Sequence, residues 1–147
     1  MPIAVTRICN DDGLYLCCRG AITGREIIEL NNRRLVGSTD IDPQLFTLVD
    51  MSETAEVHLT ERESQVIAQQ FSMLARTARQ GSVVAIVAQD ESVLGAARIW
   101  EARLESEFWQ SEVFSTVSDA EMWILEMLKK NFGVRRETLD LPRVLTN

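Results

Sequence analysis

Two short apolar runs decide what this chain can fold into. Leu45-Phe46-Thr47-Leu48-Val49-Asp50-Met51 and Val83-Val84-Ala85-Ile86-Val87-Ala88 are nearly unbroken, and Pro43 and Gly81 stand before them. Strands buried on both faces of a partly parallel sheet read this way, because neither face meets water. Between them the spacing turns helical. Ile67, Phe71, Leu74, Ala75 and Ala78 fall at i, i+4, i+7, i+8 and i+11, one core-facing stripe of a helix over residues 61–79.

Helix starts repeat one signature. Thr23-Gly24-Arg25-Glu26, Thr60-Glu61-Arg62-Glu63 and Ser118-Asp119-Ala120-Glu121 each fit a capping box, in which a hydroxyl binds the N3 amide and the Glu reaches back. Helices are expected over 24–35, 61–79, 91–104 (capped by Asp90) and 119–130, the last stopped by Gly133. Trp123 and Ile124 read as its core face. Strands are expected over 3–9 and 14–19, joined by a hairpin in which Gly13 takes a positive φ and with Gly20 ending the second. A short strand over 112–115 completes the set. The order β-β-α-β-α-β-α-β-α predicts an α/β fold: a single-layer mixed sheet of four to five strands flanked by four helices. It forms one domain over 1–132, with a tail over 133–147.

The 147 residues are 46% hydrophobic and 25% charged, ordinary values for a globular chain. Fifteen Lys and Arg against 22 Asp and Glu leave a charge of −7, which disfavours nucleic acid and anionic membranes as partners. No apolar run approaches the roughly 18 residues of a membrane span, and the N-terminus lacks the pattern of a signal peptide. Cys9, Cys17 and Cys18 form no Cys-x-x-Cys, and His58 is the single histidine, so no metal site or cofactor is expected. Reduced thiols fit a cytoplasmic protein.

Asp50 and Ser52 stand at the carboxyl end of a buried strand, where open α/β sheets place ligand-facing residues. Glu53, Glu56 and His58 follow, so 50–58 reads as a polar loop and the leading candidate for ligand or partner binding. His58 is the conventional near-neutral base, but no nucleophile frame accompanies it, and no catalytic residue is assigned. Gly95 and Arg98 sit one turn apart on the third helix. The glycine suggests close packing, and Arg98 could clamp an anionic group or pair with Asp50. Trp100 and Trp109 are candidates for an interface. Neither Gly-x-Gly-x-x-Gly nor Gly-x-x-x-x-Gly-Lys-Ser/Thr occurs, which disfavours those modes of nucleotide binding.

Several segments in this order resemble the SpoIIAA-like family, relatives of the STAS (anti-sigma-factor antagonist) fold. They are Gly20-Ala21-Ile22-Thr23, Leu48-Val49-Asp50-Met51-Ser52, Val84-Ala85-Ile86-Val87-Ala88 with Leu94-Gly95-Ala96-Ala97-Arg98-Ile99-Trp100-Glu101, and Val113-Phe114 with Asp119-Ala120-Glu121-Met122-Trp123-Ile124. The resemblance covers roughly residues 3–132 and implies a helix-flanked sheet, often homodimeric. Antagonist domains carry Asp-Ser-Ser-Gly before the helix that follows the third strand; here that turn reads Val57-His58-Leu59-Thr60-Glu61-Arg62. The expectation is therefore a non-enzymatic regulatory or protein-interaction module. It would be homodimeric, lack the phosphorylatable Ser-Gly switch, and recognise a regulatory protein through 50–58 and the second helix. The alternative is a carrier or sensor of a small apolar or amphipathic ligand. That ligand would lie between the sheet and helices two and three, with Arg98 meeting its acidic head.

Overall fold

The computed structural model describes residues 3–37, 44–77, 79–104 and 110–142. Strands β1 (Ile3–Ile8) and β2 (Gly13–Thr23) form an antiparallel hairpin. The positive φ angles of its turn lie on Cys9, Asn10 and Asp11 (57°, 55° and 67°), not on Gly13 as the Asp-Gly pair suggests. Gly13 is required for a different reason. A Cβ there would stand 2.0 Å from Cζ of Phe46, whose ring is fully buried.

Strand β2 also continues past Gly20. That residue takes φ +69° at a register shift, a bulge that absorbs one irregular step before pairing resumes through Thr23. Its parallel partner β3 (Phe46–His58) is correspondingly long, pairing Gly13↔Phe46 through Thr23↔His58. Residues 53–58, expected as loop, are therefore strand. Thr54 and Val57 supply the inward positions: Thr54 Oγ1 donates to the Cys18 carbonyl at 3.0 Å, and Val57 packs against the core. Polar residues on the outward positions hid this strand, since their side chains look like loop while their backbone is paired.

Beyond β3 come β4 (Val83–Ala88) and β5 (Gln110–Phe114), both parallel, so the sheet runs β1-β2-β3-β4-β5. Helices α1 (Gly24–Gly37), α2 (Glu61–Thr77) and α3 (Glu91–Leu104) link successive parallel strands in one direction and so pack on one face. Helix α4 (Val117–Phe132) follows the last strand and covers the other face. Strict alternation divides the two cores. Leu14, Leu16, Cys18, Val84 and Ile86 face α1–α3, whereas Tyr15, Cys17, Phe46, Leu48, Val83 and Val87 face α4.

The caps at Thr23, Thr60 and Asp90 form as expected. The Glu63 amide donates to Thr60 Oγ1 at 3.1 Å while the Thr60 amide donates to Glu63 Oε1 at 2.9 Å. At Thr23 the Glu26 amide donates to Oγ1 at 3.3 Å, but the Glu26 carboxylate accepts from the Thr23 hydroxyl at 2.9 Å rather than from its amide. At α3 the Ser92 amide donates to Asp90 Oδ1. The fourth helix begins at Val117, two residues earlier than the expected 119, with Thr116 in place of Ser118 as its cap accepting from the Asp119 amide. Gly133 ends it in a left-handed conformation. Gly81, the natural C-cap of a helix reaching residue 79, instead sits at φ +91° in the turn leading to β4, beyond the end of α2 at Thr77. Among the tail residues, Leu139 is fully buried beneath α4. Ala78, Phe108, Trp109 and the end of the tail lie outside the described residues. No helix among the described residues is long and apolar enough to cross a membrane.

Candidate functional site

Asp50 occupies the α4 face of β3, two pairs before β3 outruns β4 (Asp50↔Val87, Met51↔Ala88). It is 6% exposed, an acid in a layer that is otherwise apolar. A buried carboxyl needs donors, and three converge on it. Tyr15 Oη donates to Oδ2 at 2.5 Å, while the Ser52 amide and Ser52 Oγ donate to Oδ1 at 3.0 and 2.6 Å. Tyr15 reaches it because parallel pairing sets Cys17 opposite Asp50, one alternation from Tyr15 on the same face. Burial, and then the hydrogen bond to Asp50, push the Tyr15 hydroxyl well above its ordinary pKa. Tyr15 is therefore a proton donor throughout the physiological range.

Arg19 continues this face of β2 and closes a 2.8 Å ion pair with Glu53. The Cys17 sulfur and then Glu53 hold its guanidinium charged. The group joins a neutral phenol, an occupied carboxyl, a thiol and an exposed ion pair. Two of the three hydrogen bonds on Asp50 come from Ser52, so the pair is locked together on β3 where its pairing with β4 ends. His58 is not part of the group. It lies at the far end of β3, where Nε2 contacts Glu56 Oε2 at 2.8 Å with both side chains largely exposed. Among the described residues no cluster of His, Cys, Asp and Glu could hold a metal ion.

The remaining sequence candidates lie across the sheet. Arg98 is exposed on α3, and Asp50 is on the opposite face with Tyr15 and Ser52 as its partners, so the expected Arg98–Asp50 pair does not form. Gly95 is exposed too, and a Cβ there would meet nothing within 4 Å, so close packing does not account for it. Trp100 is 8% exposed and turned inward, where it lines a cavity between the sheet and α1–α3; Arg98 does not line that cavity. The cation on its wall is Arg34. Sequence reading missed Tyr15 and Arg34. Alternation along β2 puts Tyr15 on one face with Cys17, but only the β2–β3 register brings it to Asp50. Arg34 left a visible trace, an arginine seven residues after Ile27 and four after Leu30 on the apolar stripe of the first helix.

No protein-family model matches the chain, and neither does any curated protein. Solved structures do. One is an uncharacterised protein of the DUF3478 family with a SpoIIAA-like fold from Shewanella loihica PV-4. It is 21% identical, with a TM-score of 0.52 over 83% of this chain and 91% of that one. Another is the anti-sigma factor antagonist SpoIIAA in its unphosphorylated form, 4% identical, with a TM-score of 0.53 over 90% of this chain and 99% of that one. At such identities the likeness is one of architecture, and it is consistent along nearly the whole chain: the protein has a SpoIIAA-like fold.

Proposed function

We propose that this protein is a non-enzymatic regulatory module that works as a homodimer and recognises another protein through the projecting end of the β2–β3 ribbon, together with α2. The observation that carries this reading is the length of β3. It pairs with β4 only through Met51 but runs on to His58, so residues 53–58 have β2 alone beside them. Exposed Glu53, Glu56 and His58 decorate that segment. Charges on such a strand discourage further strand pairing and favour recognition by complementary charge, here a basic surface on the partner. Beside α2, a shallow groove against α3 is lined by Leu59, Ala68, Phe71, Ala96 and Ile99, and Ile99 is 59% exposed. Among the proteins that share the fold, SpoIIAA is an anti-sigma factor antagonist, a protein that acts on a protein.

The reading has no place for a phosphoserine switch. Thr60, at the turn where antagonist domains carry their Ser-Gly pair, is engaged as the α2 cap by both bonds of its box. Two measurements test the proposal. Native mass spectrometry at micromolar concentration is expected to show a dimer, and a clean monomer overturns that part. A partner captured from the host, purified and titrated against the chain, is expected to lose at least tenfold in affinity to Glu53→Lys/Glu56→Lys and nothing to Arg98→Ala. Unchanged affinity in the double variant removes the ribbon as the recognition surface.

A further inference from the structure

A cavity of about 80 Å³ lies between the sheet and helices α1–α3. Leu16, Val49, Ile86, Phe71 and Trp100 are among its apolar walls. On α1, Ile27, Leu30, Asn31 and Arg34 all face it, at the i, i+3, i+4 and i+7 positions of one helical stripe, and Arg34 brings the charge to its wall. Asn31, 2% exposed, is occupied: its Nδ2 donates to Gln70 Oε1 at 3.1 Å. Arg34 is not. Among the described residues it has no ion pair or hydrogen bond, and burial alone, with no neighbouring charge contributing, lowers its pKa to about 10. It is still a cation at neutral pH. Arg34 is half-buried and its guanidinium still reaches solvent, so it presents a planar fork of five donors at the wall of the apolar cavity with no group among the described residues engaging it.

We propose that this cavity binds a short-chain monocarboxylate, its tail among Leu16, Val49 and Trp100 and its carboxylate on Arg34. The carboxylate follows from the guanidinium, whose fork matches two oxygens in one plane. A single charge follows from a single cation in a chain of net charge −7. The length follows from volume. A cavity of about 150 Å³ takes benzene, so one of this size takes a tail of roughly three carbons, far below the roughly 300 Å³ and upward of sites for larger ligands. None of residues 53–58 lines the cavity, so loss of partner binding in the Glu53/Glu56 variant and loss of carboxylate binding in the Arg34 variant are read separately.

The test is a titration of the full chain with sodium acetate, butyrate, valerate and octanoate, followed by saturation-transfer NMR and calorimetry. Butyrate or valerate is expected to bind best, with butyramide and butanol at least tenfold weaker. Arg34→Met is expected to abolish the preference for the acid over the amide, and Val49→Phe to fill the cavity and abolish binding of both. Circular dichroism and thermal midpoints report whether each variant folds. If Arg34→Met does not fold, the acid–amide comparison and Val49→Phe decide the matter. Absence of butyrate binding at millimolar concentration overturns the proposal, as does equal binding of acid and amide. Tighter binding of octanoate than butyrate overturns the size assignment.

Discussion

The Tyr15 hydroxyl donates to Asp50 Oδ2 at 2.5 Å across the β2–β3 step, with both residues buried. The bond ties the two strands at the level where β3 is about to leave β4, and so sets where the free ribbon begins. Tyr15→Phe would leave Asp50 buried with one oxygen lacking its donor. The expected cost is about 1–3 kcal/mol, read as a lower urea midpoint at pH 7. Amides of residues 53–58 should then exchange faster with solvent than those of β4, because the ribbon loses its anchor while β4 keeps partners on both sides. A midpoint within error of the parent would show that Ser52 alone satisfies the carboxyl.

Alkaline pH should weaken the fold. Burial pushes the Cys18 thiol from its ordinary 9.0 up to about 12 and raises Tyr15 as well. Up to about pH 8 the native and unfolded chains both keep these two protons, and their contribution to stability is complete. From pH 9 upward the unfolded chain releases the Cys18 proton while the native chain keeps it. Stability therefore falls towards pH 12, at up to about 1.4 kcal/mol per pH unit for each such group. Tyr15 adds to the slope above pH 10. Urea titrations at pH 8, 9.5 and 10.5 should trace the decline, and Cys18→Val should flatten its first part. A parent chain equally stable at pH 8 and 10.5 would contradict the burial of these groups.

Two glycines should respond in opposite directions to alanine. At Gly13 the new Cβ would stand 2.0 Å from Phe46 Cζ, and that ring, enclosed by the α4 core, has nowhere to go. A loss of about 1–3 kcal/mol is expected. At Gly95 on α3 the Cβ meets nothing, so Gly95→Ala gains helix propensity worth about 0.5–1 kcal/mol. Thermal midpoints of the pair, measured side by side, give the sign directly.

The same two glycines show what could be seen in the sequence. Element order and the two central strands were legible because continuous apolar runs and capping boxes are local signals. The role of Gly13 was not, because it depends on Phe46, which lies 33 residues away in sequence but opposite it in the parallel register. Residues 53–58 were misread as loop for a related reason. Glu53, Glu56 and His58 describe the solvent side of a ribbon, while pairing to the Arg19–Thr23 stretch of β2 is set by register and a bulge at Gly20. Asp50 and Ser52 stood out as chemistry-bearing residues. Their partner Tyr15 needed the β2–β3 pairing, which no local pattern encodes.

Caps offer a sharp discrimination at the fourth helix. Thr116 Oγ1 accepts from the Asp119 amide at 3.1 Å, whereas Ser118 is exposed within the first turn. Thr116→Ala should cost about 1 kcal/mol. Ser118→Ala should stay within about 0.5 kcal/mol of the parent, although the sequence pattern alone favours Ser118 as the cap. Equal losses in the two variants would return the helix start to residue 118.

The tail is held by the buried Leu139 side chain and by hydrogen bonds around it, and the two should prove coupled. Leu139 is fully buried in the α4 core, its amide donates to Glu121 Oε2 at 3.0 Å, and its carbonyl accepts from Cys9 Sγ at 3.3 Å. Leu139→Ala removes the buried side chain and should cost about 2–5 kcal/mol, towards the lower end if the tail simply lifts away. Glu121→Ala removes the anchor of the Leu139 amide and also frees the Thr138 hydroxyl, which Glu121 Oε2 accepts at 3.3 Å. If both act by releasing the same segment, the double variant should lose less than the sum of the singles, by about 0.5 kcal/mol or more. Strict additivity would mean that Leu139 stays seated without Glu121, and that the Glu121 bonds are not what holds it in place.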